Sequence, residues 1–201
     1  MRRYVPLVCM ALLMILVGTA CSTARPASGL SEDEQQVRRV GEAAATTLIR
    51  NLMPRVQAAM QENGPVYALD FCSVRAQPLT EEVNEQLRGV DIKRTSFKFR
   101  NPLNAPDTYE AAALRYFQNT LEEQGNLPQY YVQQIRSNEY RYYKPLVVGE
   151  ACLNCHGDPT QFSPELQQTL NERYPNDRAV GFEEGDFRGV VRVTIPEAMV
   201  Q

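Results

Sequence analysis

The only histidine in this chain of 201 residues, His156, closes the run Cys152-Leu153-Asn154-Cys155-His156. Residues i, i+3 and i+4 share one face of a helical turn, so a fold that uses these three side chains together must present them on such a turn. With five Cys and one His in the whole chain, the pattern C-x-x-C-H is expected by chance only about 0.0006 times. The spacing therefore calls for a chemical reason, and any chemistry that needs imidazole is confined to it.

C-x-x-C-H is the attachment sequence of c-type haem: two thiols form thioethers to two vinyl groups while the adjacent imidazole reaches the iron. The run thus reads as the site of one covalent haem c held by Cys152 and Cys155, with His156 as a metal ligand. Three other readings compete. A structural zinc site would recruit Cys72 with Cys152, Cys155 and His156, but neighbouring Cys155 and His156 would have to share one ion, and the second well-spaced ligand pair is absent. A thioredoxin-like dithiol calls for a βαβ pattern that the helical N-terminal half lacks. A disulfide between i and i+3 closes too short a loop to stabilise much. With His156 proximal there is no second imidazole, so the sixth iron position falls to Cys72, Met53, Met60, Met199, a tyrosine, water or nothing. Methionine there would raise the reduction potential, whereas a thiolate would favour the ferric state.

The N-terminus reads as an export signal. Arg2 and Arg3 precede an apolar run at residues 5–20, whose 16 residues fall short of the roughly 20 a membrane span needs. Residues 1–20 are expected to be removed. Gly18-Thr19-Ala20-Cys21 resembles a bacterial lipobox, with Gly18 where Leu is usual, making Cys21 a lipidated mature N-terminus. Plain cleavage after Ala20, giving a soluble periplasmic protein, is the alternative. Either route exports the chain, and haem attachment in bacteria takes place outside the cytoplasm. Loss of Arg2 and Arg3 leaves 19 basic residues against 24 acidic ones, a mature charge of −5, which offers no field for nucleic acid phosphates or an anionic bilayer. Membrane contact is thus expected through the lipid alone.

Residues 21–30 form a Ser-, Ala- and Pro-rich tether, and a single domain follows over 31–201. Ser31 and Glu34 form a capping box ahead of Val37, Val40, Ala44, Leu48, Leu52, Val56 and Met60, a helical stripe kinked at Pro54 and stopped at Gly64-Pro65. A second helix is expected over 65–76, with Cys72 facing inward, and a short third over 80–88. Residues 91–100 alternate as a strand with a basic side, Arg94, Lys98 and Arg100. Asp107 and Glu110 cap a helix that ends at Gly125. A tyrosine-rich hairpin spans 130–148, Ser163-Pro164 opens another helix, and two final strands are expected at 179–182 and 187–195. The class is α+β, an antiparallel sheet with helices on one side and at the N-terminus.

Several motifs, in order, carry a family resemblance. They are Cys72 after Ala68-Leu69-Asp70-Phe71, Arg94 to Pro102 with Asn104 to Asp107, Tyr143-Lys144-Pro145-Leu146, the CLNCHG run, Tyr174-Pro175, Asp177, Gly181-Phe182, Gly185-Asp186 and Arg188-Gly189. Over 31–201 the chain resembles the PAS-like monohaem c-type sensor domain family. The resemblance implies a PAS-like antiparallel sheet with long N-terminal helices, haem on Cys152 and Cys155, His156 proximal and Cys72 as the distal ligand. No kinase segment follows Gln201, so signalling is expected through an unknown partner protein.

From the residues, Arg94, Lys98 and Arg100 are candidates to neutralise the haem propionates, and Tyr130, Tyr131, Tyr140, Tyr142 and Tyr143 to wall the pocket. The expected function is an extracytoplasmic redox or gas-ligand sensor that works by exchange of a thiolate ligand. A periplasm-facing monohaem electron carrier is the alternative. An enzyme is not expected, because no spare histidine can serve as distal acid or base.

Overall fold

The computed structural model describes residues 31–200, so the expected export signal, the expected tether and Cys21 lie outside the described residues. Four strands form one antiparallel sheet: β1 (Asp91–Thr95), β2 (Tyr131–Arg136), β3 (Glu139–Val147) and β4 (Phe187–Pro196), in the order β1-β4-β3-β2. The helices are α1 (Glu32–Gln86), α2 (Thr108–Gln124), the single turn α3 (Leu153–His156) and α4 (Pro164–Arg173). The α+β class holds. Among the described residues no helix is long and apolar enough to cross a membrane.

Helix α1 is two arms. Inside it, only Asn63 and Gly64 leave helical dihedrals, and Gly64 takes φ +74°, a conformation that costs glycine nothing. The break folds the arms back on each other: Leu52 and Val56 of the first pack with Phe71, Cys72, Ala76 and Leu79 of the second. The sequence placed that break correctly. The expected division of the second arm between 76 and 80 and the expected kink at Pro54 are both absent, because helical dihedrals run through Pro54 and Pro78. Each proline withdraws a donor from the carbonyl four residues back, and those carbonyls belong to the exposed residues Arg50 and Val74, where solvent lowers the cost.

Helices cover both sheet faces rather than one. Val37, Ala44, Ala45 and Leu48 of the first arm pack on Ile92, Tyr140, Tyr142, Val191, Val193 and Ile195. Ala113, Leu114 and Phe117 of α2 pack on Tyr143 and Val190. Alternation along β3 and β4 thus produces two apolar faces. The five tyrosines of the hairpin region serve these two layers, stacking as Tyr130 on Tyr142 and Tyr131 on Tyr143. None belongs to the clusters that hold Cys72 and Cys152, so their packing is that of the sheet layers.

Two expected strands end differently. The strand from 91 stops at Thr95, so its basic side is not continuous. The partner β4 reaches Gly189 at φ +142°, where a Cβ would lie 2.5 Å from the Thr95 carbonyl oxygen. The Ser96 hydroxyl then turns the chain, donating to the Arg188 carbonyl and accepting from the Lys98 N–H. Residues 179–182 form no strand, because their backbone groups bind the cysteine–histidine turn instead. The Gly181 N–H donates to the Gly157 carbonyl (2.7 Å) and the Phe182 N–H to the His156 carbonyl (3.0 Å).

Candidate functional site

Glu150–Cys152 is a 3₁₀ turn that runs without a break into α3, with Cys152 itself in the right-handed helical region. Cys152, Cys155 and His156 therefore share one turn. The turn ends because Gly157 is extended, and a Cβ there would lie 2.7 Å from the Leu153 carbonyl oxygen.

Several contacts hold this turn from different sides. Cys152 and Leu153 pack on Val148, Ala179 and Phe182. Cys155 Sγ lies 3.9 Å from the Pro65 carbonyl oxygen, so the turn abuts the break in α1. Arg100 Nη2 donates to the carbonyls of Cys155 (2.6 Å) and Ala179 (3.2 Å), while its guanidinium pairs with Asp177. Asp177 in turn accepts from the Ala179 N–H. Arg100 is thus a bracket between the motif and the 179–182 segment. Two of its nitrogens are already committed to the protein.

His156 Nδ1 meets the Ala179 carbonyl oxygen at 2.6 Å. Burial and the positive charges of Arg100 and Arg188 push the imidazole well below its ordinary range, so it is neutral. A carbonyl accepts only, so Nδ1 carries the proton and Nε2 keeps its lone pair. This is the arrangement in which a backbone carbonyl orients a histidine for metal binding. The Phe182 ring stands edge-on to the imidazole.

Cys72 is on the second arm, two helical turns past the break, and no disulfide joins Cys72, Cys152 or Cys155. Burial raises the Cys72 thiol while Arg94 and Arg100 oppose the shift. Burial likewise pushes Cys155 up to about 11. Arg94 Nη2 donates to the Ala76 carbonyl (3.1 Å), while its Nε is buried without a partner. Lys98 is less enclosed: its Nζ lies 4.0 Å from the Phe182 ring centroid and 3.3 Å from the Gly181 carbonyl. Among the described residues, no three His, Cys, Asp or Glu side chains gather as a metal site, so the zinc alternative gains no support.

Arg188, Asp177, Tyr174 and Phe182 have no individual role expected from the sequence. Arg188 donates to the Lys98 carbonyl (2.9 Å), and its guanidinium lies 5.2 Å from the Phe182 ring centroid. Burial and neighbouring Arg100 bring it down to about 10. Burial beside Cys72 pushes Tyr174 up to about 12. These four carry part of the family resemblance, which was the available signal. Arg94, Arg100 and Arg188 thus lie within electrostatic reach of one another, and of the three only Arg100 has an ion-pair partner among the described residues, Asp177, so positive charge is left over.

The family model described as Tll0287-like matches residues 27–196. The chain belongs to the Tll0287-like family. The fold is similar to the crystal structure of the cyanobacterial heme-protein Tll0287, with a TM-score of 0.56 and 25% identity, covering 84% of this chain and 98% of that one. No curated protein matches the chain. The Tll0287-like match takes in the helical arms, the sheet and the cysteine–histidine turn together.

Proposed function

We propose that the chain binds one haem covalently through Cys152 and Cys155, with His156 as proximal and Cys72 as distal iron ligand, and acts outside the cytoplasm as a redox or gas-ligand sensor. The observation that carries this reading is the Nδ1 contact of His156 with Ala179. It leaves Nε2 free on the same turn as the two thiols. The heme-protein Tll0287, similar over most of the chain, supports it.

The donor set suits the group. The only imidazole is neutral and oriented, two thiols stand at i−4 and i−1 from it, and the cations acting on it, Arg100, Arg188 and Lys98, outnumber the one paired carboxylate. A bound haem would supply a redox-active iron able to take diatomic ligands. Arg188 and Lys98 have hydrogen-bonding capacity left for its carboxylates, whereas Arg100 is committed to bracketing the motif. Phe182 and Leu153 would exclude water from the proximal side.

The sensing element is the second arm of α1. Cys72 sits between the arms, and the break at Gly64 adjoins Cys155. Release of the sulfur would free that arm to shift about Gly64, and an unknown partner protein would read the shift. Anchoring through a lipid on Cys21 would keep the sensor at the periplasmic face of a membrane.

Ferric and ferrous absorption spectra of the haem-loaded protein, with and without carbon monoxide, test the reading against Cys72→Ala. The expected result is an altered ferric spectrum in the variant and carbon monoxide binding to the reduced wild type. Identical ferric spectra would end the thiolate-exchange mechanism. An unchanged ligand pair in both oxidation states would favour the electron carrier.

A further inference from the structure

Two buried side-chain nitrogens among the described residues have no hydrogen-bond partner, Nε of Arg94 and Nε of Arg141. Arg141 nevertheless has its charge matched, by Asp107 at 2.7 Å and Glu139 at 3.8 Å. Arg94 has no ion pair among the described residues. Its one hydrogen bond runs from Nη2 to the Ala76 carbonyl. A guanidinium with a buried, unused donor and no counter-ion is costly, and a fold keeps one where an anion completes it.

The position of Arg94 indicates which anion. β1 aligns Arg94 with Val191, placing it on the same sheet face as Ile92, the face that α1 covers. Ala76 lies one helical turn beyond Cys72 on the second arm, so the Arg94 bond ties the sheet to the stretch of helix that carries this cysteine. The Asn84 side chain fixes the same arm to β1 further along, bonding both backbone groups of Ile92. Arg94 thus lies within electrostatic reach of the Cys72 sulfur, and Tyr174 lies within reach of both.

We propose that Arg94 is the positioning residue for the distal ligand: its guanidinium is the counter-ion that keeps the Cys72 sulfur bound to iron as a thiolate. This rests on the haem reading above. When sulfur binds iron, the S–H proton leaves to solvent and no electron is transferred. The negative sulfur then stands in a desolvated pocket, where the unused Arg94 N–H and its charge favour it. Arg94 thereby holds the second arm in its sulfur-bound position, because the same guanidinium binds Ala76.

Haem-loaded wild type, R94Q, R94K and C72A give the test through ferric absorption and electron paramagnetic resonance spectra. Wild type is expected to show a thiolate-ligated ferric signature. R94Q should lower the ratio of thiolate-bound to unbound iron at least tenfold, and R94K should restore most of it. In C72A, adding R94Q should change nothing further, because Arg94 acts through the sulfur. If R94Q does not fold, R94M, which keeps an apolar stem of similar length, provides the same reading. A full thiolate signature in either charge-deleting variant overturns the proposal and reassigns Arg94 to the haem carboxylates. Haem-loaded wild type without a thiolate signature overturns it too, together with Cys72 as distal ligand. Absence of covalent haem from wild type overturns the haem reading itself.

Discussion

The Ala179 carbonyl oxygen accepts from both His156 Nδ1 and Arg100 Nη2, at 2.6 and 3.2 Å. One acceptor therefore fixes the imidazole and the cation that brackets it. Because the 179–182 backbone also bonds to His156 and Gly157, the geometry of the motif depends on a segment more than twenty residues downstream. Arg100→Met leaves Asp177 buried without its partner, in a pair whose side chains are only 10% and 11% exposed. Breaking such a pair should cost about 3–5 kcal/mol. Urea unfolding of variant and wild type in the same haem state checks this.

Close packing of the first arm on the sheet depends on Gly41. A Cβ there would lie 2.2 Å from Cγ of Tyr142, a ring that is fully buried and whose hydroxyl bonds to Glu42. Gly41→Ala gains helix propensity but has to displace the arm or the ring. A net loss of about 1–3 kcal/mol is expected in thermal or urea unfolding.

The opposite face carries a buried charge network. Glu110 is fully buried and accepts from Lys93 Nζ (2.8 Å), Arg192 Nε (3.0 Å) and the Asp107 N–H (2.9 Å). Glu110→Ala removes the buried carboxylate from Lys93 and Arg192, leaving Arg192 only its Asp91 pair, and should destabilise by about 3–5 kcal/mol. This face is distinct from the α1 face that carries Cys72, so the ferric spectrum of the folded variant should match wild type.

A pH dependence follows from Asp107. Burial disfavours its charge, but the Glu110 N–H and the Arg141 guanidinium outweigh that and hold the carboxyl below its ordinary value. A depressed folded pKa contributes stability that is present above the unfolded value, about 3.9, and is lost as pH falls through the folded one. Asp107→Asn keeps the cap but removes the charge, so it should cost about 0.5 kcal/mol at pH 7. The difference from wild type should vanish in strong acid, as urea unfolding across pH 2–7 would show.

Local grammar in the sequence located the elements whose signals lie within a few residues. Asp107 and Glu110 form a reciprocal cap, Gly125 ends α2 at φ +70°, Ser163 caps α4, and Gly64 breaks α1. The single turn carrying Cys152, Cys155 and His156 was legible for the same reason. What escaped was decided at long range. The strand end at Thr95 depends on Gly189, and the loop form of 179–182 depends on hydrogen bonds to 156 and 157. Arg188 gave no local sign of a role, because the sheet brings it to the motif from far along the chain. Lys98 and Arg100 looked like one basic face with Arg94, but the turn at Ser96 sends them to different partners.

Intact mass under denaturing conditions reads out whether this chain carries a porphyrin on Cys152 and Cys155. Protein made in cells that mature c-type cytochromes should weigh one haem more than its polypeptide with any lipid, and Cys152→Ala/Cys155→Ala should lose that increment and its colour. A wild-type mass equal to polypeptide and lipid alone would contradict the account.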